Sequence, residues 1–346
     1  MSARIEIDLD AFRHNVRTLT AIAAPARTML AVKADGYGHG MLPIARAALE
    51  SGADSLAVLD VTAALALREA GIDAQLFAWL HGADTDFRGA IDADIDLGVS
   101  SLLELERIVA AGSSRTAAVH LKIDTGLHRN GASPEDWPKL VRAALGAEGR
   151  VRIAGLWSHL ADASPEADEA ALAEFQAAVA VAAGLGVPTD GAERPILHLA
   201  ASSAGIRMPA ARFDLVRFGI AAYGSSPFDD TAARELGMRA PMTVFATVVD
   251  TRDGVAVLDL GTADGIPPSG SGAQVLLSGH RAVVAAVGID TVDVISAAAI
   301  GDEAIVFGPG DQAEPTAEEW AAWAGTIGDE ILARASTRIP RVYLNE

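Results

Sequence analysis

The feature that most constrains the fold is an alternation over the first two thirds of the chain. Short apolar runs rich in β-branched residues are separated by longer stretches of Ala, Leu, Glu and Arg at helical spacing. Such alternation describes βα units, whose strands pair in parallel because each helical crossover returns the chain to the same end of the sheet. Eight runs fit: TMLAVK (28–33), SLAVL (55–59), QLFAWL (75–80), IDLGVS (95–100), AVHLKID (118–124), RIAGLWSH (152–159), PILHLAA (195–201) and FDLVRFG (213–219). Helical segments lie between them at 42–52, 61–71, 102–112 and 167–184, several closed by glycine, and a further one at 8–23 precedes the first run. Eight units within about 220 residues predict an α/β fold of the TIM (β/α)8 barrel class, since a doubly wound open sheet ordinarily stops sooner.

Beyond residue 225 the texture changes. The runs 242–250, 254–261, 274–279, 281–288 and 302–308 are short, β-rich and separated by Gly, Asp and Pro, with no helical stretch between them. This predicts a barrel domain over 1–225 and a C-terminal, mostly β domain over 226–346, with one last helical segment at 317–335.

Composition narrows the function. No stretch reaches 18 uninterrupted apolar residues and the first residues show no leader pattern, so a soluble, cytoplasmic protein is expected. Cysteine is absent, which excludes disulfides, thiolate nucleophiles and thiolate metal sites, and no metal centre is expected. The net charge of −19 is scattered along the chain and repels phosphate backbones and anionic lipid, which argues against nucleic-acid and membrane partners. Any anionic ligand must therefore be captured by a local cluster of donors.

In TIM barrels chemistry sits at the C-terminal ends of the strands. Lys33 ends the first run and Tyr37 follows it; Arg129 follows the fifth, His159 ends the sixth, Ser202 follows the seventh and Arg217 lies near the end of the eighth. Each alone reads as something ordinary: a solvated lysine, a structural histidine, a helix-capping serine, an ion-paired arginine. Their convergence on one rim points to a site. A lysine in such a mouth, its pKa lowered by nearby cations and burial, can attack a carbonyl. The glycines of DGYGHG (35–40) and RFGIAAYG (217–224) are expected to supply backbone donors for an anion such as a phosphate, with hydroxyls from Tyr37 and Ser202.

The motif AVKADGYGHG (31–40) closely resembles the pyridoxal-phosphate attachment motif of bacterial alanine racemases. The similarity continues through VHLKIDTGLHRNG, GLWSHLADA, HLAASSAG and DLVRFGIAAYG, then more weakly through GTADG and VGIDTVDV, and so spans nearly the whole chain. The resemblance implies a barrel followed by a β domain, a homodimer, a small amino-acid substrate and pyridoxal 5'-phosphate (PLP) as cofactor. It implies that Lys33 holds PLP covalently and serves as one base. Tyr37, Ser202, Gly219 and Ile220 match phosphate-binding positions, the last two through backbone donors. Arg217 matches the arginine facing the pyridine nitrogen, and His159 the histidine beneath the ring that also orients it. Arg129 matches the residue that steadies the cofactor's phenolic oxygen and the substrate carboxylate, and Lys122 a lysine, often carbamylated, that positions Arg129.

The sequence departs from the family where a second base, a tyrosine on a loop of the partner's β domain, is expected. Here VFATVVDTRDGVAVLDLGTADG passes from one strand to the next through RDG, and the chain's three tyrosines, Tyr37, Tyr223 and Tyr343, lie elsewhere. The tyrosine of the family's GYADG is Thr262, the asparagine before the phosphate-site serine is Ala201, and the methionine of VGIDTVDV is Ile289, beside a retained Asp290 that remains a candidate for substrate support. A positioned general base is worth about 10² to 10⁴ in rate. Three readings follow: an amino-acid racemase acting on alanine with a substitute second base, a PLP enzyme with one-base chemistry on another amino acid or amine, or a non-catalytic PLP-binding paralogue. Joint retention of Lys33, Arg129, His159 and Arg217 weighs against the last.

Overall fold

A computed structural model describes residues 3–346. A strand, β1 (Arg4–Asp8), alternating polar and buried apolar residues and not assigned from the sequence, precedes the helix Leu9–Ala23. All eight predicted barrel strands are present: β2 (Arg27–Ala31), β3 (Ser55–Val58), β4 (Gln75–Ala78), β5 (Ile95–Val99), β6 (Ala117–Lys122), β7 (Val151–Trp157), β8 (Ile196–His198) and β9 (Leu215–Phe218). They pair in parallel in the order β9, β2, β3, β4, β5, β6, β7, β8. Across the remaining seam, backbone hydrogen bonds run from Asp214 to the Leu197 carbonyl (3.1 Å) and from Arg217 to the Ala200 carbonyl (3.0 Å). The Asp214 carboxylate also accepts from the Leu197 N–H at 2.7 Å, so the sheet closes nearly into a barrel.

The predicted runs overshoot the ladder at its C-terminal end. Val32, Leu80 and Ile123 continue to donate backbone hydrogen bonds to the neighbouring strand or its extension, to Ala57, Leu59 and Trp157, but beyond the regular pairing. Apolar character therefore extends past the strand, and the residues just after it are those the barrel mouth receives. The interior is filled by Met29, Ala31, Ala57, Phe77, Trp157 and Leu215, with Trp79 against them. Helices between the strands begin at side-chain caps: Asp60 accepts from the Ala63 N–H, Ser101 from Glu104 and Ser164 from Ala167. Pro165 at the first turn and Glu166 and Asp168 beside it suit the N-terminus of Pro165–Gly184.

The β-rich remainder forms β10 (Met242–Arg252), β11 (Val255–Leu258), β12 (Gln274–Leu277), β13 (His280–Val287), β14 (Val292–Ile295), β15 (Glu303–Phe307) and β16 (Arg341–Leu344). Six of these close on themselves in the order β10, β11, β14, β13, β12, β15, and β1 joins β10 antiparallel while β16 joins β1 in parallel. The last helical segment is two helices, Ala317–Ala324 and Gly328–Ala333, interrupted where Gly325 turns left-handed (φ 71°). Two compact units result. One comprises Met1–Thr18, Ala34–Ser51 and Ile220–Glu346, and the other, the barrel unit, Leu19–Lys33 and Gly52–Gly219.

Phe77 is fully buried at the centre of the barrel's core cluster. Phe77→Ala is expected to lower the unfolding free energy by about 3 to 5 kcal/mol, measured by urea denaturation followed through tryptophan fluorescence. A loss below about 1 kcal/mol would mean the barrel core does not rest on this ring.

Candidate active site

The barrel unit contains Lys33, Lys122, Arg129, His159, Ser202, Arg217 and Gly219, whereas Tyr37, Ile220 and Asp290 belong to the other unit. Lys122 is the last residue of β6 and is buried. Its Nζ donates to the Arg129 carbonyl at 3.0 Å and to the Asn130 side-chain oxygen, and lies 4.8 Å from the Trp157 ring centroid. These contacts fasten the loop that carries Arg129. The same loop is shaped by Asp124, whose carboxylate accepts from the Gly126 and His128 N–H groups. At Gly131 (φ 103°) a Cβ would lie 2.8 Å from the Asp124 nitrogen, so the turn requires glycine there.

Arg217, inside β9, is buried and held by acceptors on three sides. NH1 donates to His198 Nδ1 at 3.0 Å, and NH2 to the carbonyls of Ser158 (2.7 Å) and Leu199 (2.9 Å) and to His159 Nδ1 (3.3 Å). None of these contacts uses Nε. Burial pushes the guanidinium down to about 9, which leaves it charged at neutral pH. His159 is held well below the usual histidine range, first by burial and then by the positive charges of Arg217, Arg129, Lys122 and Lys33. Those four cations therefore act on one neutral imidazole. Ser202 completes the set: its Oγ accepts from the Gly219 N–H at 3.1 Å, leaving the hydroxyl proton to donate elsewhere.

Sequence reasoning missed His198, His120 and Asp96. His198 Nε2 lies 2.8 Å from His120 Nδ1, and His120 Nε2 lies 3.0 Å from the Asp96 carboxylate. The signal was an interior polar residue in each of three mainly apolar runs: Asp96 in 95–100, His120 in 118–124 and His198 in 195–201.

In the other unit, the turn after Lys33 is left-handed, with φ of 52°, 53° and 61° at Ala34, Asp35 and Gly36. Two of the three glycines of DGYGHG, Gly38 and Gly40, do not serve as free donors, contrary to expectation. The Gly38 and Gly40 N–H groups are spent on the Ala34 and Asp35 carbonyls inside the turn. Their reason is close approach: a Cβ on Gly38 would lie 2.3 Å from the Leu332 carbonyl oxygen, and one on Gly40 2.0 Å from the Tyr343 hydroxyl. Tyr37 is buried with its ring 4.6 Å from Tyr223, and its hydroxyl is held protonated by burial and then by the charge of Asp329. Asp290 is exposed and ion-paired with Arg338 at 3.2 Å.

The segment where the second base was sought is a two-residue turn. β10 ends at Arg252, which pairs with Val255 at the start of β11, and both Asp253 (φ 46°) and Gly254 (φ 83°) are left-handed, as a tight hairpin demands. Tyr223 is buried among Phe12, Tyr37 and His39, and Tyr343 donates to the His39 carbonyl, so no tyrosine of this chain occupies the turn.

The alanine racemase N-terminal domain model matches residues 7–227 and the C-terminal domain model residues 245–343. The alanine racemase of Frankia casuarinae is 42% identical, covering 98% of this chain and 95% of its own length, and that of Thermobifida fusca is 40% identical, covering 99% and 98%. Crystal structures of alanine racemases from a D-cycloserine-producing Streptomyces lavendulae and from Streptomyces coelicolor superpose with TM-scores of 0.94 at 39% and 40% identity, over 99% of this chain. The alignment with the Frankia enzyme runs over 378 positions, more than the 346 residues present, so that relative carries segments this chain lacks.

Lys122 tests the electrostatics of the mouth. Burial, then Arg217 and Arg129, lower its pKa from 10.5 to about 8. Between those values the unfolded chain binds the proton more tightly, so wild-type stability should rise, relative to Lys122→Met, as pH climbs from about 8 towards 10.5. The expected gain is up to about 3 kcal/mol, from paired urea titrations at pH 7 and 10. A pH-independent difference would show that Lys122 titrates as it does in water.

Proposed function

Since the chain belongs to the alanine racemase family, we propose that it interconverts L- and D-alanine at the mouth of its barrel with PLP as cofactor. It is an isomerase. The observation that carries the cofactor assignment is Arg217: a buried guanidinium whose NH1 and NH2 are taken up by fixed acceptors while Nε is not. The other residues suit the same group. Lys33 brings an amine for its carbonyl, and the cation cluster, in a chain of net charge −19, provides the local attraction that phosphate and carboxylate need.

PLP, when bound, supplies an electron sink that lets a proton leave Cα of the amino acid. Lys33 holds the cofactor and takes or returns that proton. Arg217 would face the pyridine nitrogen as a donor that keeps its proton, which would moderate the sink and favour proton transfer over competing cleavages. Arg129 binds the carboxylate, with Lys122 steadying its loop, and neutral His159 supports Arg217. Ser202, Ile220 and Tyr37 would supply phosphate contacts, and Gly219, whose N–H donates to Ser202 Oγ, would hold that hydroxyl in place or turn its N–H to the phosphate. A homodimer and a cytoplasmic location belong to the same reading, and among the described residues no helix is long and apolar enough to cross a membrane.

Borohydride treatment of the PLP-loaded protein should fix the cofactor on the peptide containing Lys33, and Lys33→Ala should abolish both this label and racemisation. Labelling of a different lysine would defeat the assignment.

The tight Asp253–Gly254 turn favours a second reading, in which proton transfer is one-sided. Racemisation requires removal from one face of Cα and delivery to the other, and this chain places no tyrosine in that turn. D-alanine should then take up deuterium from D₂O about 10²-fold or more faster than it racemises, and L-alanine should exchange slowly. Isotope content and enantiomeric excess followed on the same samples decide it: equal exchange of both enantiomers, matched by racemisation, would mean a second base exists.

A further inference from the structure

Arg217 does not end at His198. A continuous line of buried side chains runs from its NH1 to His198 Nδ1 (3.0 Å), from His198 Nε2 to His120 Nδ1 (2.8 Å) and from His120 Nε2 to Asp96 Oδ2 (3.0 Å). Donor and acceptor counting gives the line a single direction. A guanidinium only donates, so His198 Nδ1 accepts and its proton sits on Nε2. That proton is given to His120, whose Nδ1 must accept and whose own proton then sits on Nε2, where the carboxylate receives it. Both imidazoles are thereby neutral and each is confined to one tautomer. Reversing either ring would set two donors against each other or two acceptors.

The surroundings are built for these rings. Trp157 lies parallel to His198 at 5.7 Å, Phe77 presents its edge to His198 at 5.6 Å and covers His120 at 4.7 Å, and the Trp157 indole N–H donates to the His120 carbonyl at 3.1 Å. A Cβ at Gly155 would lie 2.3 Å from His120 Nδ1, so β7 gives up a side chain to admit the ring. At the far end, Gln75 also donates to Asp96. Burial pushes the Asp96 carboxyl up, while the hydrogen bonds it accepts from His120 and Gln75, with the charge of Arg152, favour its ionised form, and the group is held below the usual range. Asp96 is the second residue of β5 and Gln75 the first of β4, near the N-terminal ends of the strands, whereas His198 closes β8. The line thus crosses the barrel interior from the end opposite the mouth.

We propose that Asp96 and His120 are positioning residues which, through His198, fix the orientation of the Arg217 guanidinium from the far end of the barrel. Neither touches the reacting atoms. The inference rests on the functional reading only for its effect on turnover, because the direction of the hydrogen bonds is a property of the chain.

The test is ¹⁵N-histidine NMR of the PLP-loaded protein at pH 7, with the two rings assigned from His120→Gln and His198→Gln. Both should be neutral with the proton on Nε2. In Asp96→Leu the His120 ring loses its acceptor, and the His198 resonances should move with it, while Asp96→Asn, which keeps an acceptor oxygen, should restore them. Turnover of alanine should fall about tenfold or more in Asp96→Leu, with KM little changed, and recover in Asp96→Asn. Wild-type rings carrying the proton on Nδ1 or on both nitrogens, or His198 resonances indifferent to Asp96→Leu, would overturn the proposal. Should Asp96→Leu not fold, the wild-type tautomers alone decide. A protein with the expected tautomers that does not racemise alanine would sink the functional reading and leave this one standing.

Discussion

The site depends on keeping one guanidinium charged inside a barrel core. An unpaired charge there would cost several kcal/mol, and Arg217 avoids this by finding four acceptors on the strand ends around it: two carbonyls and two imidazoles. That requirement explains much of its neighbourhood. The carbonyls of Ser158 and Leu199 are free to accept because they lie beyond the last paired residues of β7 and β8. The imidazoles must be neutral to accept, and burial together with the cations around them keeps His159 and His198 neutral. Trp157 lies 5.1 Å from the guanidinium carbon and adds a polarisable face where no further hydrogen bond is made.

The same arrangement resolves a tension in the composition. A chain of net charge −19 should repel a phosphorylated cofactor and a carboxylate substrate, yet its barrel mouth gathers Lys33, Lys122, Arg129 and Arg217. The field that matters is local, because low-dielectric walls strengthen nearby charges while salt screens distant ones. The lowered pKa of Lys122 reflects first its burial and then the repulsion of Arg217 and Arg129, and its contacts to the Arg129 loop hold the cluster together.

How much of this was legible in the sequence follows from what each feature depends on. The eight strands were readable because a parallel barrel buries both faces of each strand and leaves apolar runs, as in β3 and β5, where every residue is buried. Their ends were misjudged because burial continues past the ladder. Lys33, Arg129, His159, Ser202 and Arg217 were singled out by position along those runs, and Lys122 by the resemblance alone. The line from Arg217 to Asp96 was not, since its ends lie 121 positions apart and their meeting depends on strand order around the barrel. Nor was the joining of β1 to β10 and β16, which sets residues 3–18 with residues 220–346. Gly38 and Gly40 of DGYGHG were recognised as important for the wrong reason: their space is taken up by Leu332 and Tyr343, contacts that no local pattern encodes.

The turn at Asp253 and Gly254 shows how fold and chemistry separate in this chain. β10 and β11 are neighbours in a ring of six strands, so what that ring requires of their connection is only that it reverse direction with the right twist, which a two-residue turn of positive φ does with little strain. The pairing of Arg252 with Val255 and of Val248 with Leu258 is kept, with a bulge between to absorb the register change. A loop carrying a functional group can therefore be removed here without disturbing the strands it joined, whereas no comparable deletion is open at the barrel mouth, where Arg217, Lys122 and the histidines hold one another in place. Selection on such a chain acts on the two halves of the chemistry unequally. The half built into packed strands persists with the fold, and the half carried on a surface connection is the one free to be lost or replaced.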